Sequence, residues 1–317
     1  MSPLSPSLVV VMPVFEDLEA SSRLFHELKS SQGSGVYVVA VDDGSVRQPL
    51  SPGAIAAAGL EGVVIKLRRN VGHQRAIAIG LGYVAENFTG DQYVVVMDSD
   101  GEDTPQSISE LIKRLDDPEV DVVVATRKSR VETLRFRAFY VVYKWLFSLL
   151  SGRKISFGNF MAAKMSAVQR LAAMQELWTH VAACVLNSKL RVSTCALDRG
   201  PRYAGRSKMN FVGLALHGFR ALMVFAEDVL VRVGIACTLV AALTVCGAML
   251  ALILKAIGFA TPGWFSIVSG ILLLVFLQTG ALTLIILMLS GIVRGGGVLL
   301  SGGYREFVAE VLHARPG

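Results

Sequence analysis

VVVMDSDGED, Val94 to Asp103, runs four strand-forming positions into four acids within six residues. A buried strand that ends in so much negative charge is unstable unless something cationic sits beside it. Strand-like runs of the same kind occur at Leu8–Met12, Val36–Asp42, Val63–Lys66, Tyr93–Asp98 and Val120–Ala125. Helix-like segments fall between them at Asp17–Ser30, Ser51–Gly59, Gln74–Glu86 and Pro105–Leu115, the last capped by Thr104 with Pro105 in the first helical position. This alternation predicts an α/β fold with a mostly parallel sheet. In such a sheet the residues after the strand C-termini share one edge, where ligands bind. Asp42-Asp43 and Asp98-Ser99-Asp100 both fall on that edge.

Asp98, Asp100 and Glu102 are hard oxygen donors of the kind that hold Mg²⁺ or Mn²⁺, and such a metal usually shares its coordination with substrate phosphates. The reading that follows is a metal diphosphate held by the acids. No G-x-G-x-x-G follows the first strand, where MPVFED stands instead, so a nicotinamide site is not expected. In RNVGHQRAIAIGLGY a Gly precedes a basic helix start, which places Arg69, His73 and Arg75 where phosphate binds. RYAGRSKMN brings Arg202, Arg206 and Lys208 together with Ser207, suited to a second phosphate. Arg127, Arg130 and Arg135 form another basic set.

The bulk numbers point to lipid. Of 317 residues 53% are hydrophobic, and the mean hydropathy is +0.53, high for a soluble chain. Val233–Leu254 and Ala256–Val293 contain no Asp, Glu, Lys or Arg, and Thr261-Pro262-Gly263 breaks the second stretch. Two membrane helices are therefore expected, at 233–254 and 264–293. Ahead of them Phe211, Leu214, Gly218, Leu222, Phe225 and Val229 form an apolar stripe opposite His217, Arg220 and Glu227. Residues 211–232 are accordingly read as a juxtamembrane amphipathic helix. Arg220, Arg232, Arg294 and Arg305 flank the spans while the connecting loop offers Lys255, so both termini and the sheet domain (1–210) are expected in the cytoplasm, with 294–317 as a tail. No basic and apolar leader opens the chain, in keeping with that placement. The net charge of +6 suits anionic lipid or phosphate; the basic residues show no nucleic-acid module. Cys184, Cys195, Cys237 and Cys246 lack metal-ligand spacing and read as apolar fillers.

Taken together, MPVFED (family pattern P-V-Y-N-E), VAVDDGS, LRRNVGHQRAIAIGLGY, VVVMDSDGED, VVVATRKSR, FGNF and RYAGRSKMN, followed by two spans, resemble the family 2 inverting glycosyltransferases of GT-A fold. Within these the chain resembles the membrane-anchored polyprenyl-phosphate glycosyltransferases related to dolichol-phosphate mannose synthase. The resemblance covers about Met12 to Asn210. It implies that Pro13, Asp17, Asp42 and Asp43 line the nucleotide pocket with Arg75. It implies that Asp98 and Asp100 face sugar and metal, with Glu102 at a metal-binding position, and that Arg127, Arg202, Arg206, Ser207 and Lys208 hold the acceptor phosphate. Many relatives carry an acid where Asn159 stands, so a carboxylate base is not supplied there; a phosphate nucleophile is already ionised and needs little base. His180 lies in a region where other members place a base. The implied reaction transfers a UDP- or GDP-sugar to polyprenyl phosphate at a bacterial inner membrane, in cell-envelope biosynthesis. A diacylglycerol acceptor or an inactive nucleotide-sugar-binding scaffold is the alternative, and self-association is left open.

Overall fold

The computed structural model describes residues 6–127, 134–154, 157–203, 211–259, 261–295 and 303–316. Contacts divide the chain into two units: Met1–Val141, Ile155–Val224 and Val298–Gly317 form one, and Val142–Lys154 with Phe225–Gly297 form the other.

The described strands of the first unit form an eight-stranded sheet. They are β1 (Leu8–Val14), β2 (Val36–Asp42), β3 (Glu61–Leu67), β4 (Tyr93–Val96), β5 (Val122–Arg127), β6 (Met161–Lys164), β7 (Val192–Leu197) and β8 (Val308–Ala314), in the order β7-β5-β6-β4-β1-β2-β3-β8. β4-β1-β2-β3 run parallel in register, as do β5 and β7, whereas β6 is antiparallel to β4 and β5, and β8 to β3. Every residue of LVVVMPV in β1 is buried because both sheet faces are covered. Strand alternation sorts the core into two. Val9, Val11, Val39 and Val41 pack with α3 (His73–Asn87), α6 (Met165–Ala172) and α7 (Val181–Asn187). Val10, Met12, Val38 and Ala40 pack with α1 (Leu18–Gln32), α2 (Pro52–Ala57) and α4 (Ile108–Leu115). The mostly parallel GT-A-like sheet predicted from the sequence is present, and its parallel strands deliver Val14, Asp42, Leu67 and Val96 to one edge.

Two boundaries differ from the sequence reading. Residues 308–314 are not a free tail: β8 pairs with β3 from Gly62↔Ala314 to Leu67↔Val308, and the Tyr304 hydroxyl donates to the Glu86 carboxylate. β3 would otherwise expose a row of backbone groups at an edge. The helix expected over 211–232 is also broken: α8 (Phe211–Met223) belongs to the sheet unit, and α9 begins at Ala226 after a turn at 224–225.

The second unit holds α9 (Ala226–Ala256), α10 (Trp264–Gly295) and Val142–Lys154, which is the later part of α5 (Leu134–Ser151) with the three residues after it. Ala226–Ala256 and Trp264–Leu289 each reach a mean hydropathy of 2.5, yet only 17% and 11% of their most apolar stretches are buried. A soluble core helix would be mostly covered, so these surfaces suit lipid. At about 1.5 Å per residue, α9 exceeds a ~30 Å hydrocarbon core.

Candidate active site

β4 ends at Val96, and the next seven residues turn back sharply at the sheet edge. The Asp98 N–H donates to Asp103 Oδ2 at 3.0 Å, and the Glu102 N–H donates to Asp100 Oδ1 at 3.0 Å. Gly101 takes φ +85°, and a Cβ there would lie 2.3 Å from the Tyr203 ring. Only glycine allows both that turn and that approach. The segment after β7 closes over it: the Gly200 N–H donates to the Glu102 carbonyl at 3.0 Å, and the Tyr203 N–H donates to the Asp100 carbonyl at 2.9 Å.

That segment brings the cations. Arg202 Nη2 lies 2.6 Å from Asp100 Oδ2, and its Nε lies 3.3 Å from Glu102 Oε1. Arg199 pairs with Glu102 Oε2 and lies 3.6 Å from Asp103 Oδ1. Among the described residues four carboxylates therefore face two guanidinium groups, leaving negative charge in excess. Burial, followed by mutual repulsion, raises Asp98 and Asp103 above the ordinary carboxylate range. Asp98 Oδ1 is buried and has no hydrogen-bond partner among the described residues. His73 Nε2 is 3.3 Å away and also 2.9 Å from Asn159 Nδ2. If the Asn159 amide donates to it, the single lone pair of Nε2 is used there and His73 has no proton on that nitrogen to give to Asp98.

The hard oxygens, the orphaned Asp98 Oδ1 and the uncompensated charge fit a divalent cation. The three expected ligands are nonetheless not gathered into a cage. Among the described residues no three His, Cys, Asp or Glu side chains converge as metal ligands, because Glu102 and Asp100 are drawn to the two arginines.

The family 2 glycosyl transferase model matches residues 9–176, which run from within β1 through α6 and include the acidic turn 98–103, while Arg199 and Arg202 lie beyond them. The chain belongs to glycosyl transferase family 2. Over 155 residues it is 26% identical to the dodecaprenyl-phosphate galacturonate synthase of Rhizobium johnstonii, covering 47% of this chain and 43% of that protein. The chain thus spans less than half the length of this curated relative. Glucosyl-3-phosphoglycerate synthase of Mycobacterium tuberculosis, solved with Mg²⁺ and uridine diphosphate, is similar at a TM-score of 0.50 and 16% identity over 72% of this chain and 79% of that one. The same enzyme with Mn²⁺, uridine diphosphate and phosphoglyceric acid gives 0.50 and 16% over 72% and 78%. At such identity the likeness describes the fold alone.

In this family 2 chain the other predicted residues divide into two groups. Pro13 is buried in β1, and Asp17 precedes α1 as its N-cap residue. Asp42 is 2% exposed, and its two oxygens accept the N–H groups of Ser45 and Leu50, each at 3.0 Å. Asp43 accepts those of Val71 (2.7 Å) and Gly72 (3.0 Å), and burial raises it above the ordinary carboxylate range. Both aspartates therefore shape the loops that form the edge. Gly44, at φ +73°, lets that turn press against Arg69 and Asn70. Arg75 is exposed in the first turn of α3, and Arg127 closes β5. Arg130, Arg206, Ser207 and Lys208 lie outside the described residues.

His180 does not suit the role of base. It is 4% exposed, its Nδ1 accepts the Ala183 N–H at the start of α7, and its Nε2 lies 3.0 Å from His217 Nε2. With Nδ1 accepting, Nε2 carries the proton and donates to His217. Burial pushes its pKa down to about 3, so it stays neutral, bound on both sides. Asn159 Nδ2 lies 2.9 Å from His73 Nε2, which is itself 3.3 Å from Asp98 Oδ1.

Sequence reasoning passed over Arg199, Asp103 and Glu16. Glu16, at φ 50°, accepts the N–H groups of Val46, Arg47 and Gln48, which hold its pKa below the ordinary carboxylate range. Its neighbour Asp17 carried the motif match. Arg199 gave no local signal because its partners lie nearly a hundred residues earlier.

Proposed function

We propose that the chain transfers a sugar from a nucleotide-sugar donor to a polyprenyl phosphate, with inversion, at the cytoplasmic face of a bacterial inner membrane. The observation that carries this reading is the acidic edge with its excess charge, held by a basic segment that leads toward α8 and the spans. Family membership supports sugar transfer, and the name of the galacturonate synthase supports the lipid phosphate. The Mg²⁺ and Mn²⁺ complexes of the mycobacterial enzyme share the fold.

Asp98 and Asp100 would hold Mg²⁺ or Mn²⁺ here; when bound, the ion offsets the charge of the leaving diphosphate. Asp42, Asp43 and Glu16 fix the loops against which the nucleotide lies. With an ion held there, Asp100 would exchange its contact with Arg202, whose guanidinium would suit a phosphate oxygen. Asn159 cannot take a proton and His180 is occupied, which a phosphate monoester acceptor tolerates because it attacks already ionised. Attack from the face opposite the diphosphate inverts the anomeric centre.

Protein in lipid discs, given radiolabelled UDP- and GDP-sugars with polyprenyl phosphate or diacylglycerol, tests this reading. Label in the organic phase that requires polyprenyl phosphate is expected. Label that requires diacylglycerol would move the acceptor to the hydroxyl lipid, and none with any donor would leave a binding scaffold.

A further inference from the structure

His180 takes no part in the chemistry, yet the short segment that contains it touches the chain on both sides of the spans. Trp178 and His180 stand two residues apart. His180 Nε2 donates to His217 Nε2 at 3.0 Å, and His217 lies on α8, the helix through which the chain leaves the sheet unit. The Trp178 ring meets that of Phe307 at 5.7 Å. Phe307 closes Gly303–Phe307, the turn through which the chain comes back to β8.

The segment is itself fixed to the acidic edge. The Glu176 carbonyl accepts the N–H groups of Thr179 and His180, each at 3.0 Å, and the Glu176 carboxylate accepts the Asn187 amide at 2.9 Å. The Val181 N–H donates to Gln74 Oε1 at 2.8 Å. Gln74 is 5% exposed and follows His73, whose Nε2 lies 3.3 Å from Asp98 Oδ1. A run of polar contacts thus leads from Asp98, through the starts of α3 and α7, to α8. On the return side Arg68, directly after β3, donates its N–H to the Phe307 carbonyl at 2.9 Å and its Nε to the Val308 carbonyl at 3.1 Å. Apolar packing alone needs no histidine at either end of the α7–α8 contact; a hydrogen bond between two rings fixes direction as well as distance.

We propose that Trp178 and His180 are positioning residues that hold the points where the chain leaves and rejoins the sheet unit at a set distance from Asp98, so that the phosphate of a membrane-borne acceptor meets the acidic edge. This rests on the polyprenyl-phosphate reading above. The test uses the full chain in lipid discs with His217→Phe, which keeps a ring but offers His180 no acceptor, and His217→Gln, which keeps one. Transfer is measured to polyprenyl phosphate in the disc and to a short-chain prenyl phosphate added from water, which approaches the edge without the leaflet. His217→Phe should raise the KM for polyprenyl phosphate about tenfold or more, with the donor KM and the rate on the short acceptor within about twofold of the unmodified chain. His217→Gln should match the unmodified chain, and Trp178→Leu should show the same partition as His217→Phe. Equal losses with both acceptors, or a Gln variant as impaired as the Phe one, would overturn the proposal. Hydrogen exchange without substrates separates it from a failure of the reaction itself, which transfer by neither acceptor in the unmodified chain would report. His217→Phe should speed exchange in α8 and leave β1 and β2 unchanged. Unchanged exchange in α8, or equally faster exchange in β1 and β2, would make the histidine pair an ordinary core contact and overturn the proposal.

Discussion

Replacing Arg202 by Gln removes the guanidinium that holds Asp100 Oδ2 at 2.6 Å and Glu102 Oε1 at 3.3 Å. A divalent ion recruited by Asp98 and Asp100 must break the first of these contacts, so part of its binding energy goes to displacing Arg202. A charge-assisted contact is worth roughly 1.5–3 kcal/mol net, and the partial exposure of both side chains argues for the low end, about 1.5 kcal/mol. That corresponds to about tenfold in affinity. Arg202→Gln should therefore bind Mn²⁺ about tenfold more tightly than the unmodified chain, measured calorimetrically in lipid discs without donor or acceptor. Its KM for polyprenyl phosphate should rise, because the freed arginine was to meet that phosphate. Arg199→Gln serves as the comparison: Arg199 contacts Glu102 and Asp103 but not Asp100, so its effect on metal affinity should be smaller. Unchanged or weaker Mn²⁺ binding in Arg202→Gln would refute the displacement argument.

Asp42→Ala leaves the Ser45 and Leu50 N–H groups without their acceptor, which should cost about 2 kcal/mol or more and lower Tm by roughly 5 °C in a thermal melt. An unaltered Tm with raised donor KM would return Asp42 to direct nucleotide contact. Asp103 is raised by burial and by Asp98, so the metal-free chain keeps that contribution to stability below the ordinary value of 3.8 and loses it as pH climbs toward neutrality. Relative to Asp103→Asn, its Tm should fall between pH ~4 and ~7, and saturating Mn²⁺ should reduce the fall; a pH-independent difference would contradict the raised pKa. Gly101→Ala meets both a left-handed backbone and the Tyr203 ring, so transfer should collapse while the sheet's circular dichroism remains. Retained activity would show that the acid loop tolerates separation from 199–203.

The parts of the fold legible in the sequence are those with a local period. The apolar runs of β1 to β5 and the charge-free stretches of α9 and α10 are such features. β6 is the four-residue MAAK, with no pattern of its own, and β8 follows the spans and finds β3 across some 240 positions. No local rule reports such a pairing. The site follows the same division. Asp42 was visible because it ends a strand and Asp98 and Asp100 because they follow one, but what each touches was not. The cationic company required by VVVMDSDGED comes from Arg199 and Arg202, and His73 meets Asn159 across 86 residues. For His180 the sequence left a base and a core histidine both open, and its burial against His217 favours the core role.

Mass spectrometry of the lipid extract, after the full chain in lipid discs has been supplied with Mg²⁺, a panel of nucleotide sugars and polyprenyl phosphate, tests the central claim most directly. The account predicts one new species, heavier than polyprenyl phosphate by a single glycosyl residue, with the sugar on the phosphate, and absent when Asp100→Asn replaces the unmodified chain. A sugar found on a lipid hydroxyl instead, or the same product at full yield from Asp100→Asn, would contradict it.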